Sequence, residues 1–342
     1  MSLAMDCRQG AVMADVNFET SDVRAGPPVD ATLLFARPET VELPGFVKNL
    51  NDFARPLGER FEHVEDLGIE TDGEVAVFQG DRHHVIVREV EAALPLETFE
   101  AAMANPLMAV LFPTAGIVAR QHTEHVSVTV GGGRWDELPA EIVAEDLLPD
   151  AMLTKMRLAR AAAGAYARNR YPIAVHWKQS DSFMAGPNFT QHLEKDAEED
   201  ETSLFVKAVP FSSSAPDAPI QTVGAITVGA TNVIGCEVEV AEAPVTIAWA
   251  VEQALRFVSH SRDALPPAGT TVRSEDALLM VHPCEPSPGF PLGHIRLTVE
   301  KMPQGAVQVV ESPTVAAPSM EPALTDIVEE QPRRVRVGFG RR

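Results

Sequence analysis

The longest regular hydrophobic pattern in the chain lies between Pro149 and Asn169, and it predicts a helix. Its apolar positions recur at steps of four and three residues, which places them on one helical face. They are Met152, Met156, Ala159, Ala163 and Tyr166. A methionine stripe of this kind usually packs in a core, so we interpret this face as buried and not as a binding groove.

Alternating apolar and polar residues directly after this helix predict a strand that starts near Tyr171 and ends in turn-forming residues at 179–182. Successive side chains of a strand point to opposite faces. One face should therefore carry Ile173, Val175 and Trp177. The other face should carry Ala174, His176 and Lys178.

Similar patterns predict the remaining elements, and their mixed order along the chain indicates an α+β fold. We expect antiparallel or mixed sheets with helices packed on one face. The predicted strands are Ala31–Ala36, Glu74–Gln79, His83–Val90, His125–Val130, Ser203–Val209, Thr222–Val228, Gly235–Val240, Asp276–His282 and His294–Glu300. The further predicted helices are Glu42–Ala54, Leu96–Asn105 and Pro244–Ser259.

Composition divides the chain into two consecutive units between a leader and a tail. We predict a flexible leader at 1–29, an N-terminal α+β unit at 30–200, and a C-terminal α+β unit at 203–302. The charged stretch from Gln191 to Thr202 has no evident apolar anchor, and we interpret it as the linker. Residues 303–342 are rich in proline, valine, alanine and glutamate without periodicity, as is typical of disordered segments.

The chain is acidic, with a net charge of −21 over 342 residues. An acidic surface repels nucleic-acid phosphates and anionic lipids. Nucleic-acid-binding proteins usually carry basic patches with interleaved aromatic residues, and here such a patch occurs only in the C-terminal tail. We therefore expect neither nucleic-acid nor membrane binding. Another protein, and a basic one in particular, is the partner that the charge favours. Hydrophobic residues make up 45% of the chain, which is enough for a sizeable core.

The cysteine pattern indicates a reducing compartment. Cys7, Cys236 and Cys284 are far apart and form no C-x-x-C pair. The N-terminus has no apolar signal-peptide core, and no run reaches the roughly 18 apolar residues of a membrane span. The sequence therefore predicts a cytoplasmic protein.

A cluster of polar and aromatic side chains ends the predicted strand at 171–177, where His176 and Trp177 are followed by Ser180 and Asp181. Sites often lie at such strand ends. Two interpretations stay open. In the structural one, Trp177 packs in the core, and Ser180 and Asp181 cap a turn or a helix. In the enzymatic one, Ser180 reacts with His176 as its base, although no G-x-S-x-G motif surrounds the serine.

A second candidate surface is formed by Glu237 and Glu239, which lie two residues apart and should share one face of a strand. Two such carboxylates can share a proton or bind a cation. More often, acidic residues at such positions keep an exposed edge strand from pairing with another chain.

Two further patterns have the residue types of a metal or phosphate site without the required spacing. A set of His282, Cys284, His294 and Cys236 matches no standard zinc motif. The glycines at 131–133 follow a strand, but two carboxylates and a proline come next, which makes a poor anion cradle. We therefore expect no metal and no cofactor.

The region at 221–300 carries a set of motifs that resembles a known family. The motifs are Thr222-x-Gly224, Gly229, Gly235-Cys236-Glu237-Val238-Glu239, a helix, and Gly269-Thr270-Thr271-Val272 before two strands. Together they resemble the DUF4261 family of bacterial proteins, and the resemblance extends loosely over 30–300. The family's usual Asp-Gly turn appears here as Ala268-Gly269, and a later glycine as Arg273. Since the family has no assigned chemistry, the resemblance implies an α+β fold more than a function.

These features predict a non-enzymatic bacterial protein that binds another protein, such as an immunity or secretion-system accessory factor. One alternative is a hydrolase-like enzyme with a site near His176, Ser180 and Asp181. Another is a structural subunit that its basic C-terminal tail anchors in a larger assembly. The tail residues that would make this contact are Arg333, Arg334, Arg336, Phe339, Arg341 and Arg342.

Overall fold

The computed structural model describes residues 28–37, 41–64, 74–136, 149–194, 202, 204–215, 220–274, 277–288 and 290–301. Within these ranges the chain forms two sheets and eight α-helices, so the predicted α+β class is confirmed. Nearly all of the predicted leader, the tail beyond position 301 and the middle of the predicted linker lie outside the described residues.

The first sheet has seven strands, each antiparallel to its neighbours. The strands are β1 (Val29–Phe35), β2 (Glu62–His63), β3 (Glu74–Gln79), β4 (His83–Val90), β5 (Glu124–Gly132), β6 (Ala174–Trp177) and β7 (Ser182–Ala185). Their spatial order is β2-β3-β4-β5-β1-β6-β7. The helices of this half are α1 (Leu43–Ala54), α2 (Glu100–Met103), α3 (Met108–Leu111), α4 (Ala115–Gln121), α5 (Pro149–Asn169) and α6 (Gly186–Glu194).

The second sheet is mixed and has six strands. They are β8 (Lys207–Phe211), β9 (Val223–Val228), β10 (Glu237–Ala243), β11 (Thr271–Ser274), β12 (Ala277–Cys284) and β13 (His294–Lys301). The order is β11-β12-β13-β10-β9-β8, and β10 and β13 are its parallel pair. Two helices belong to this half, namely α7 (Thr231–Ile234) and α8 (Ile247–His260). Helix α8 packs against β8, β9 and β10.

Helix α5 lies in the centre of the fold and is covered on nearly all sides. It packs against β1, β4 and β5 of the first sheet, and also against α1, α6 and α7. Small residues permit this close packing, since a Cβ on Gly164 would lie only 2.8 Å from Leu193 Cδ2 of α6. The predicted stripe of methionine, alanine and tyrosine is buried, as is a run of alanines beside it.

Two buried polar contacts fix the end of α5 against the sheet. Arg170, directly after the helix, donates from Nη1 to Glu124 Oε1 at 2.8 Å. Tyr166 Oη donates to the Glu89 carboxylate. Burial, and then the nearby Glu89 charge, raise the pKa of Tyr166 above its ordinary value, so its hydroxyl keeps the donated proton. Loss of either donor would remove a hydrogen bond from a buried carboxylate, which is unfavourable.

The two sheets share one cluster of buried hydrophobic side chains. At the point where the halves meet, the Trp177 ring of β6 lies edge-on to Phe205, two residues before β8, with ring centroids 5.4 Å apart. The Phe189 ring of α6 also packs against the indole, with ring centroids 6.1 Å apart. The predicted units therefore pack against each other through aromatic side chains.

A polar contact lies beside these rings. Lys207 Nζ of β8 donates to Asp181 Oδ2 at 3.2 Å and to the Asp181 carbonyl oxygen at 3.0 Å. Next to it, the backbone of Gly229 touches the turn between β6 and β7. A Cβ on Gly229 would lie 2.6 Å from the Phe205 carbonyl oxygen and 2.9 Å from Ser180 Cβ. The junction is thus tight enough to require glycine.

The predicted linker at 191–202 was wrong at its start. Residues up to Glu194 form the last turn of α6. Leu193 supplies the apolar anchor that the charge pattern obscured, because it and Phe189 lie one helical turn apart and both pack in the core.

Other boundaries also differ from the predictions. Helix α8 begins at Ile247 and not near Pro244, because Thr246 Oγ1 caps it by accepting from Trp249 N at 3.1 Å. Strand β6 is shorter than predicted and begins at Ala174. Sequence periodicity missed the short elements β7, β11 and α7, since four residues are too few to show a period.

Gly229→Ala should destabilise the fold more than Gly269→Ala. Both glycines have positive φ, 95° and 73°, but nothing lies within 4 Å of a Cβ on Gly269. The control variant, Gly269→Ala, should therefore lower the free energy of unfolding only by the cost of the left-handed backbone, about 1–2 kcal/mol. Gly229→Ala should lower it by about 1 kcal/mol or more beyond that, because of the steric clash. Chemical denaturation of both variants measures the difference. Equal losses of stability in the two variants would show that the structure around Gly229 accommodates a methyl group.

Candidate functional site

An open groove lies on the outer face of the first sheet, the face opposite α5. Its volume is about 590 Å³. The floor consists of outward-pointing residues from adjacent strands, and the loop after β4 forms one wall. The lining residues are Asp30, Thr32, Ile86, Arg88, Leu94, Thr98, Ser127, Thr129, His176, Lys178 and Asp181.

The strand register arranges the floor in two rows that run across the sheet. In one row Arg88, Ser127, Thr32 and His176 are successive cross-strand neighbours. In the adjacent row Ile86, Thr129 and Asp30 are neighbours in the same way. Hydroxyl groups therefore lie at the centre of the groove and ionisable groups lie toward its ends.

The groove stays open because helices cover only the other end of this face. The short helices α2 and α4 pack there over outward-pointing apolar residues of β1, β6 and β7. This second cluster contains Leu34, Phe99, Ala102, Phe112, Ala115, Ala119, Ala174 and Phe183. Outward residues of the same strands are thus apolar under the helices and polar in the groove, which separates the site from the core.

Most charges in the groove are paired. Lys178 Nζ donates to Asp30 Oδ2 at 3.3 Å, and Thr129 Oγ1 donates to Asp30 Oδ1 at 2.7 Å. Asp181 is held by His176 Nε2 at 3.0 Å and by Lys207 Nζ at 3.2 Å. Arg88 is exposed and makes no ion pair with any part of the chain that the structure describes. It is the uncompensated charge of the groove floor.

His176 lies at the boundary between the groove and the second cluster. The Phe99 ring packs edge-on against it, with centroids 5.5 Å apart, and only 5% of the residue is exposed. Burial lowers the pKa of His176 below its ordinary value, although the Asp181 hydrogen bond acts in the opposite direction. At neutral pH the imidazole is therefore uncharged, and it donates from Nε2 to the carboxylate.

Ser180 is separated from this hydrogen bond. Its side chain is fully buried, and its Oγ has no hydrogen-bond partner among the described residues. It packs against Gly229 and is absent from the groove lining. Because a nucleophile must reach both its base and its substrate, this placement removes the basis of the predicted Ser180–His176 arrangement.

The remaining members of the predicted cluster have structural roles. Trp177 is fully buried on the inner face of β6, as the structural interpretation expected. Asp181 forms the turn before β7 in a left-handed conformation, φ 49°. Such a conformation costs a non-glycine residue roughly 1–3 kcal/mol. Its three contacts, with His176 and with Lys207, hold it there.

Glu237 stabilises a turn and has no free lone pair to offer a ligand. It accepts from the backbone N–H groups of Gly229, Ala230 and Thr231 at 3.0–3.2 Å, and from the Thr227 hydroxyl at 2.6 Å. These contacts place the carboxylate at the start of α7, where a negative charge is favourable.

Glu239 has separate partners, so the predicted carboxylate pair shares no proton. His294 Nε2 lies 2.9 Å from Glu239 Oε2, and Arg296 Nε lies 3.4 Å from Oε1. His294 and Cys284 are cross-strand neighbours, and the His282 ring bonds instead to Thr298. Within the described ranges, no three histidine, cysteine or carboxylate groups are arranged to hold a metal ion.

The groove contains residues that sequence reasoning did not single out, above all Asp30, Thr32, Arg88, Ser127 and Thr129. A partial signal for them exists in β1 and β5, where Asp30 and Thr32, and Ser127 and Thr129, alternate with apolar residues. Alternation identifies an outer face, but it does not show that helices leave part of that face uncovered. The predicted tail residues, Arg333 to Arg342, lie outside the described residues.

No family model, no curated protein and no solved structure matches the chain. The DUF4261 resemblance therefore stays a prediction. None of the helices in the described ranges is both long enough and apolar enough to cross a membrane.

His176→Gln should make stability less dependent on pH. Since the pKa of His176 is lowered by folding, the unfolded chain takes up its proton first as the pH falls below the ordinary value of 6.5. The parent should therefore lose stability below about pH 6.5, by up to about 1.4 kcal/mol per pH unit from this group. Denaturation at a series of pH values should show a shallower decline for the variant; an identical decline would contradict the burial of a neutral His176.

Ser180→Ala should leave stability unchanged or raise it, by less than about 1 kcal/mol, because it removes a buried hydroxyl without a described partner. Thr227→Val is the matched control. The Thr227 hydroxyl donates to Glu237 and accepts from Val238 N, so this variant should lose about 1–3 kcal/mol. Both are measured by chemical denaturation. A large loss in Ser180→Ala would show that the serine makes an important hydrogen bond.

Proposed function

We propose that this chain is a non-enzymatic binding protein that holds a segment of a partner protein in the groove of the first sheet. The observation that carries the proposal is the groove itself. It is open, it has a volume of about 590 Å³, and its floor is built on hydrogen-bonded strands. A site on such a rigid floor is preorganised, which lowers the entropic cost of binding.

The polar side chains in the groove lining support a binding role over simple surface exposure. Hydroxyl groups of Thr32, Ser127 and Thr129 face the groove together with charged groups that are mostly paired in advance. Such paired groups need little rearrangement on binding. Size alone also fits, because ligand-binding clefts commonly measure roughly 300–1,000 Å³.

The charge of the whole chain favours a partner that is basic overall. A net charge of −21 attracts cationic proteins over several ångströms and speeds their association. Added salt screens this attraction, so capture of the partner should weaken as ionic strength rises. An immunity or secretion-accessory role is one biological setting in which an acidic binding protein would mask a basic one.

A hydrolase is the second candidate, and the His176–Asp181 hydrogen bond of 3.0 Å is the observation that favours it. An imidazole that is neutral and oriented by a carboxylate has the properties of a general base. Ser180 cannot serve it, so the nucleophile would have to be water. The same carboxylate bonds to Lys207 and stabilises a left-handed turn, which accounts for the network without catalysis.

Ser127→Trp should abolish capture of the partner, because Ser127 lies in the centre of the groove floor and an indole would fill the groove. Pull-downs from the native host at low salt compare this variant with the parent. Thr271→Trp is the control, since Thr271 is an exposed strand residue of the second sheet.

Circular dichroism first establishes that both variants fold. A folded Ser127→Trp protein that retains the partner would overturn the assignment of the groove. Loss of the partner in both variants would place the contact elsewhere on the protein.

A further inference from the structure

We infer that the groove recognises a carboxylate group, which binds to Arg88 and is carried by a short acidic segment of the partner. This inference rests on the proposed function, and it adds the chemical class of the bound group. The inference is based on Arg88, a charged residue of the groove floor that has no ion-pair partner among the described residues.

Arg88 stands at the end of the central row of the floor. It points outward from β4, opposite Ser127 of β5, and its side chain is exposed to the groove. The cross-strand neighbour of Arg88 on β3 is Val75, so Arg88 has no carboxylate directly opposite it on that strand. Its guanidinium has five N–H donors and can bind both oxygens of a carboxylate at once.

The other charges of the groove leave no competing anchor. Lys178 is engaged by Asp30, and Lys207 and His176 are engaged by Asp181. A ligand that approached these groups would have to displace an existing partner. Among the described lining residues, only Arg88 offers a positive charge at no such cost, so the incoming anionic group should bind there.

Neighbouring hydroxyl groups extend the site beyond the guanidinium. Ser127 and Thr32 continue the row from Arg88, and Thr98 lies on the wall. Hydroxyls both donate and accept hydrogen bonds, so they suit peptide N–H and C=O groups. A peptide whose carboxylate binds Arg88 could therefore place its backbone along this row.

The length of the row sets the size of the bound segment. From Arg88 to His176 the row crosses β4, β5, β1 and β6. Three strand spacings of about 4.8 Å give about 14 Å, the length of roughly four extended residues. A segment of this size, with its acidic residue at the β4 end, fits the groove.

A carboxylate fits better than a phosphate. A dianionic phosphate usually requires several donors or cations, whereas this site offers one uncompensated guanidinium. The acidic chain also opposes the approach of a doubly charged group more strongly than that of a singly charged one. A partner that is basic overall can still present one acidic residue at the point of contact.

The test uses two capped pentapeptides and the full-length protein. One peptide begins with glutamate followed by four serines, and the other has glutamine in place of the glutamate. Ile86 lines the groove beside Arg88, so its methyl NMR signal reports binding. The glutamate peptide should shift this signal in a saturable way, and the glutamine peptide should bind at least about tenfold more weakly.

Arg88→Met should weaken binding of the glutamate peptide by about tenfold or more. Arg273→Met is the matched control, because Arg273 is an exposed strand arginine of the second sheet without a described ion pair. It should bind the peptide as the parent does. Equal binding of the two peptides, no dependence on Arg88, or stronger binding of inorganic phosphate would each overturn the inference.

Failure of the inference is distinguishable from failure of the proposed function. If Ser127→Trp loses the protein partner while Arg88→Met keeps it, the groove binds a partner without a carboxylate contact, and the inference is wrong. If the glutamate peptide binds at Arg88 but no partner depends on the groove, the inference stands and the proposed function fails.

Discussion

Burial of helix α5 is the constraint on which the rest of the structure depends. The helix is covered by the first sheet on one side and by α1, α6 and α7 on the others. Its alanines and Gly164 make this close packing possible. Since α7 belongs to the second half of the chain, the same helix links both sheets to one core. Apart from the buried carboxylates of Glu89 and Glu124 at the end of α5, the inner face is mostly apolar, which leaves most polar side chains to the outer face.

The groove is the consequence of that division. The outer face of the first sheet is apolar where short helices cover it and polar where they do not. The Asp181 turn serves both regions, because its carboxylate orients His176 at the groove and binds Lys207 of the second sheet. The junction that joins the two halves therefore also sets the shape of one end of the groove. Arg88, at the other end, makes no ion pair with the described residues, and it is the residue that we propose contacts the ligand.

The sequence predicted the elements that have a regular hydrophobic period. It did not predict features that depend on contacts between residues far apart in the chain. Helix α5 and strands β3 and β4 have the predicted bounds, because long regular patterns identify buried faces. Trp177 is fully buried, as the structural interpretation of its cluster expected. The groove could not be predicted, since Arg88 and Thr32 become neighbours of Ser127 only through strand order. Likewise, Ser180 resembled a reactive serine until its contact with Gly229, remote in sequence, was known.

The most direct measurement of the central claim is site-specific photo-crosslinking of the partner. A photoreactive phenylalanine analogue replaces the exposed Thr98 on the groove wall, where it leaves the floor open, or Thr271 on the second sheet as the control. A crosslinked partner is expected from position 98, with the crosslink mapped to an acidic segment, and none is expected from position 271. Crosslinking from position 271 alone, or from both positions equally, would contradict the claim that the groove is the binding surface.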